Sequence, residues 1–70
     1  MLFKDLLHLM DGAQMVSINI NSGEKQLTDN VNSFDILYNQ NYLKLKVVKV
    51  AATVDAFNRP VIDIELEGIY

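Results

Sequence analysis

Between Leu43 and Val54 the chain alternates apolar and polar residues, but the parity of the alternation changes midway. Leu43, Leu45 and Val47 hold odd positions with Lys44 and Lys46 between them, whereas Val48, Val50, Ala52 and Val54 hold even ones. A strand turns successive side chains to opposite faces, so a regular one would send half of this apolar set to water. One extra residue near Val47 and Val48 restores the step, which predicts a β-bulge and a bend at that point. Length requires the bend too: twelve straight residues at about 3.3 Å each reach roughly 40 Å, too far for a globule of 70 residues. The strand therefore either curls toward a barrel or projects as an arm.

Its partner is the closing stretch from Val61 to Glu67, with Ile62, Ile64 and Leu66 on one face and Asp63, Glu65 and Glu67 on the other. Two hairpin registers align the apolar faces. One sets Val54 opposite Ile62 and Lys49 opposite Glu67; the other is two residues shorter and sets Lys49 opposite Glu65. Either gives cross-strand charge pairs worth about 0.2–1 kcal/mol each. The connection is a five-residue loop, Ala56 to Pro60 in the first register.

The first half of the chain reads as shorter pieces. Phe3, Leu6, Leu7 and Met10, widened by Leu2 and Leu9, repeat at helical spacing and predict an amphipathic helix over 2–10. Gly12 is placed to close it in the left-handed conformation. Val16, Ile18 and Ile20 alternate with Ser17 and Asn19 as a half-buried strand, and Asn21-Ser22-Gly23-Glu24 follows as a turn. The returning strand, Gln26 to Val31, is poor in apolar residues and suits a sheet edge. Asn32 can then cap a short helix in which Phe34, Leu37 and Tyr38 share a face. From Tyr42 the chain is expected to run extended.

These pieces predict an α+β fold in one domain spanning 1–70: N-terminal helix, β-hairpin, short helix, and a long bent β-hairpin. All of its strands are expected in one curled antiparallel, small barrel-like sheet. A chain of 70 residues buries only about 60% of its unfolded surface, so further burial by self-association matters to it.

Charge is unevenly distributed. Residues 1–40 carry Lys4 and Lys25 against Asp5, Asp11, Glu24, Asp29 and Asp35; residues 41–60 carry Lys44, Lys46, Lys49 and Arg59 against Asp55. The net charge of −3 disfavours a broad phosphate-binding surface. With no cysteine there is no disulfide, thiolate ligand or thiol nucleophile, and the opening MLFKDLLHLM is too interrupted for a secretion signal. A cytoplasmic protein without a membrane span is expected.

Candidates for chemistry are few. His8, the single histidine, lies on the polar helix face without a nucleophile in reach and reads as a solvated side chain. Asp63, Glu65 and Glu67 stand about 6–7 Å apart along a strand, a solvated face rather than converging metal ligands. Lys44, Lys46 and Lys49, with Arg59, form a basic strand that could touch nucleic acid, against the acidic total. No catalytic constellation, cofactor site or metal site emerges. Phe57, in the loop with Arg59, either folds back over the sheet end or anchors in a partner's pocket, and Tyr70 poses the same choice.

The run FKDLLHLMDGAQMVSIN from Phe3 to Asn19, the turn NSGEK, the segment SFDILY and the ending IDIELEG together resemble small uncharacterised proteins of phages and prophages of Gram-positive bacteria. That resemblance implies a short accessory protein of a mobile element that works by binding something, in the host cytoplasm. The expected function is a non-enzymatic protein-interaction or assembly module, a homo-oligomer or a binder of a host protein, with Phe57, Arg59, Tyr70, Asp63, Glu65 and Glu67 as candidate contacts. Two alternatives stand beside it: an inhibitor of a host nucleic-acid enzyme whose acidic face imitates phosphates, and a weak nucleic-acid binder acting through Lys44, Lys46 and Lys49.

Overall fold

The computed structural model describes residues 1–69. Its elements run α1 (Phe3–Leu7), β1 (Met15–Ile20), β2 (Lys25–Asn30), α2 (Phe34–Tyr38), α3 (Gln40–Leu43), β3 (Lys46–Val54) and β4 (Pro60–Glu67). The fold is α+β: three short helices lie against a four-stranded sheet ordered β2-β1-β4-β3. Among the described residues no helix is long and apolar enough to cross a membrane.

The sheet differs from expectation in two respects. It is mixed, because β1 and β4 run parallel with Val16 opposite Ile62, Ile18 opposite Ile64 and Ile20 opposite Leu66. It is also open rather than barrel-like, since β2 and β3 form separate edges. The cause lies in the apolar content of the strands. β1 and β4 each carry three aliphatic side chains at alternate positions, and burying both under one helical layer requires them side by side in the centre. The poorer strand β2 takes an edge, as its composition predicts.

Under the helices lies one core: Phe3, Leu7, Val16, Ile18, Ile20, Val31, Ile36, Tyr42, Leu45, Ile64 and Leu66. The bulge falls where the parity change places it, between Val47 and Lys49, and the hairpin adopts the shorter register with Lys49 opposite Glu65. Its five-residue loop is therefore Asp55 to Arg59.

Helix boundaries moved more. The helix expected over 2–10 stops at Leu7, and the chain then tightens, with Leu9 N–H donating to Leu6 O at 3.0 Å and Met10 N–H to Leu7 O at 3.2 Å. Those three-residue closures rotate the last turn and leave Leu9 exposed. Gly12 does not take a positive φ; it lies against Asn32, whose side chain a Cβ at this position would strike. Ser33, not Asn32, caps α2, its Oγ accepting from Ile36 N–H at 3.3 Å. The stretch read as extended from Tyr42 begins instead with α3, capped by Asn39 Oδ1 accepting from Asn41 N–H at 3.0 Å.

Two side-chain amides tie the ends of the parallel pair. At one end Gln14 Nε2 donates to Met15 O at 2.8 Å and to Pro60 O at 3.3 Å. At the other, Asn21 Nδ2 donates to Gly68 O at 2.8 Å while its Oδ1 accepts from Gly68 N–H at 3.0 Å.

Candidate functional site

Residues opposite one another in a ladder share a face, so the registers sort the whole sheet. The helical side holds Val16, Ile18 and Ile20 of β1, Ile62, Ile64 and Leu66 of β4, and Val47, Val50, Ala52 and Val54 of β3. Coverage of this side is unequal. Ile18, Ile20, Ile64 and Leu66 are fully buried, whereas Val50 is 50% and Val54 57% exposed. The helical layer ends before the outer half of β3, leaving an apolar strip that continues to Phe57, 79% exposed at the hairpin tip. Phe57 therefore does not fold back over the core; instead the Arg59 guanidinium lies 5.2 Å from its ring centroid.

Beside this strip runs the outer edge of β3. Its first part is occupied, because Phe3 N–H donates to Leu45 O at 2.8 Å and Val47 N–H to Met1 O at 2.8 Å, with Leu2 bridged to Lys46. Its second part, Val50 to Val54, is bordered by no strand among the described residues. The direction of its backbone groups follows from the turn. Asp55 N–H donates to Arg59 O at 3.0 Å, so Asp55 and its alternates Thr53, Ala51 and Lys49 point their peptide groups toward β4. Pro60, which lacks an N–H, pairs with Val54, as a non-bonded position requires. Val50, Ala52 and Val54 thus aim their N–H and C=O groups outward.

Natural edge strands are blunted by charge, proline or bulges. Here Lys46, the bulge and Lys49 guard only the first half, and the five residues Val50-Ala51-Ala52-Thr53-Val54 carry no charge and no proline.

The loop that ends this edge is cross-braced by the Asp55 carboxylate. Asp55 Oδ1 accepts from Phe57 N–H and Arg59 N–H, both at 2.9 Å, and Oδ2 accepts from Arg59 Nε at 2.7 Å. Asn58 takes a left-handed φ of 61°, which asparagine tolerates. The Arg59 backbone hydrogen bond, opposed by desolvation and helped by the Arg59 side chain and the Phe57 amide, holds the Asp55 carboxyl below its ordinary value.

The acidic candidates Asp63, Glu65 and Glu67 sit on the opposite, helix-free side of the sheet. Asp63 accepts from Asn19 Nδ2 at 3.0 Å. Glu65 and Glu67 stand opposite Lys49 and Lys46 in the ladder, whereas the Arg59–Asp55 ion pair forms at the other end of this hairpin, in its loop. Lys44 lies outside the strand, at the end of α3, so the basic residues are not one continuous row. Tyr70 lies outside the described residues.

Two features were not anticipated from the sequence. Phe34 and Tyr38 stack in solvent, ring centroids 5.1 Å apart, while Ile36 takes the buried position of α2; the apolar spacing fits either orientation. His8 and Lys4 rim a shallow depression floored by Leu7, Leu37 and Leu43. Among the described residues no three His, Cys, Asp or Glu side chains cluster closely enough to hold a metal ion. Compared with family models, curated proteins and solved structures, the chain matches none.

Proposed function

We propose that this chain is a non-enzymatic interaction and assembly module that associates with copies of itself through the strip formed by Val50, Ala52, Val54 and Phe57. The observation that carries the reading is the ending of the helical layer short of the second half of β3, beside a run of outward-pointing backbone groups. Apolar surface and unmet hydrogen-bonding groups there have one common remedy, another protein surface. The small core of a 70-residue chain adds a stability motive for the same association. The resemblance to phage and prophage accessory proteins supplies the setting, a bacterial cytoplasm. Phosphate imitation by Asp63, Glu65 and Glu67 has less support, because lysines flank two of the three acids and an asparagine holds the third.

Replacing Val54 with Lys tests the reading. The site is exposed, so monomer stability should change by no more than about 0.5 kcal/mol, while a charge enters the middle of the contact. Equilibrium sedimentation should show reversible self-association of the native chain at micromolar concentration and at least about tenfold weaker association of V54K, with thermal melting unchanged at dilutions where both chains are monomeric. A native chain that stays monomeric at high micromolar concentration would overturn the proposal.

A further inference from the structure

Resting on that reading, we infer that the partner of the open edge is the same edge of a second copy, paired antiparallel about a two-fold axis at Ala52. Two four-stranded sheets then join into one of eight strands.

Three constraints fix the register. The edge is available only between the segment Met1–Phe3, which already bonds Leu45 and Val47, and the turn that begins at Asp55. An isologous contact must be self-complementary, so its centre lies within that window. Hydrogen-bonded pairs must also join residues that point outward, which are Val50, Ala52 and Val54. Centring on Ala52 uses all three: Ala52 exchanges both bonds with its copy, and Val50 does so with Val54 of the other chain, twice by symmetry. A centre at Ala51 would push the turn of one copy against Val47, whose N–H is taken by Met1. A centre at Thr53 would leave Val50 facing the loop.

Charge and shape agree with Ala52. In this register Lys49 lies opposite Asp55 of the second copy, Thr53 opposite Ala51, and no like charges face each other. On the helical side Val50 meets Val54 and the two small Ala52 side chains meet at the axis. The exposed Phe57 of each hairpin tip then approaches the exposed Met1 and Leu2 of the other copy.

Proline and a spin label test the register. The Ala52 N–H points away from β4, so Ala52→Pro removes no bond of the β3–β4 ladder yet blocks the axis of the pairing. A52P should keep its circular dichroism spectrum and associate about a hundredfold more weakly than the native chain, two symmetric bonds being lost. The chain has no native cysteine, so single nitroxides at Ala52→Cys and Phe57→Cys report cleanly. In the dimer the Cα atoms of residue 52 lie about 5.5 Å apart and those of residue 57 roughly 33 Å apart, giving strong dipolar broadening at 52 alone. If A52P folds and associates like the native chain, or the labels at 57 are closer than those at 52, edge pairing is wrong although self-association stands. If the native chain is monomeric, both proposals fall.

Discussion

Phe3→Ala should lower the unfolding free energy by about 3–5 kcal/mol. Phe3 is fully buried and is the largest such side chain in the molecule among the described residues. The total available to a chain of 70 residues is on the order of 4–10 kcal/mol at ~0.05–0.15 kcal/mol per residue, so the variant loses at least about a third of its stability and at the low end of that range all of it. Packing is one part of the loss. The Phe3 N–H also bonds Leu45, and the segment it anchors covers the outer edge of β3 as far as Val47. Freeing that segment lengthens the open edge of β3, so F3A should aggregate at concentrations where the native chain does not. Urea unfolding gives the stability, and Phe3→Leu, which keeps most of the volume, should cost less than half as much. A loss below about 1 kcal/mol for the alanine variant would mean that this ring is not central to the core.

Asn21→Ala should cost about 2–4 kcal/mol, combining two hydrogen bonds at about 0.5–1.5 kcal/mol each with a left-handed backbone penalty of about 1 kcal/mol. The asparagine has φ 49° and its side-chain amide makes paired bonds with the peptide groups of Gly68. Gly68 itself is confined by its φ of 144° and by Leu45 Cδ2, which would lie 2.8 Å from a Cβ. Because β1 and β4 are parallel neighbours joined only through β2, two helices and β3, this clamp secures the end of a pairing that local turns cannot hold. Asn21→Gly separates the two contributions: it restores the backbone but not the bonds, and should recover about 1 kcal/mol of the loss. Equal stability of the alanine variant and the native chain in chemical unfolding would refute the clamp.

What was legible in the sequence was local. The parity change at Val47 and Val48 located the bulge because a strand's two-residue period leaves one remedy for it. The β3–β4 parity followed from apolar alternation, and the choice between registers did not, since both satisfied the same faces. The parallel pairing of β1 with β4 was not legible. It joins residues more than forty positions apart, such as Ile18 and Ile64, and no turn signal marks it. Helix α3 was missed because Leu43, Leu45 and Val47 satisfy a period of two while the first of them ends a four-residue helix started by Asn39. The candidate surface was half visible. Phe57 stood out as an apolar residue in a loop, whereas the exposure of Val50 and Val54 depends on where the helical layer stops, a property of the assembled core.

Amide hydrogen exchange, resolved by residue at two protein concentrations, addresses self-pairing of the edge most directly. Ala51 and Thr53, whose amides bond β4 across from Asp63 and Val61, should be protected at both concentrations. The outward amides of Val50, Ala52 and Val54 should be protected when the protein is concentrated and exchange rapidly on dilution. Rapid exchange of those three at every concentration, in a chain that is otherwise folded, would contradict pairing at this edge.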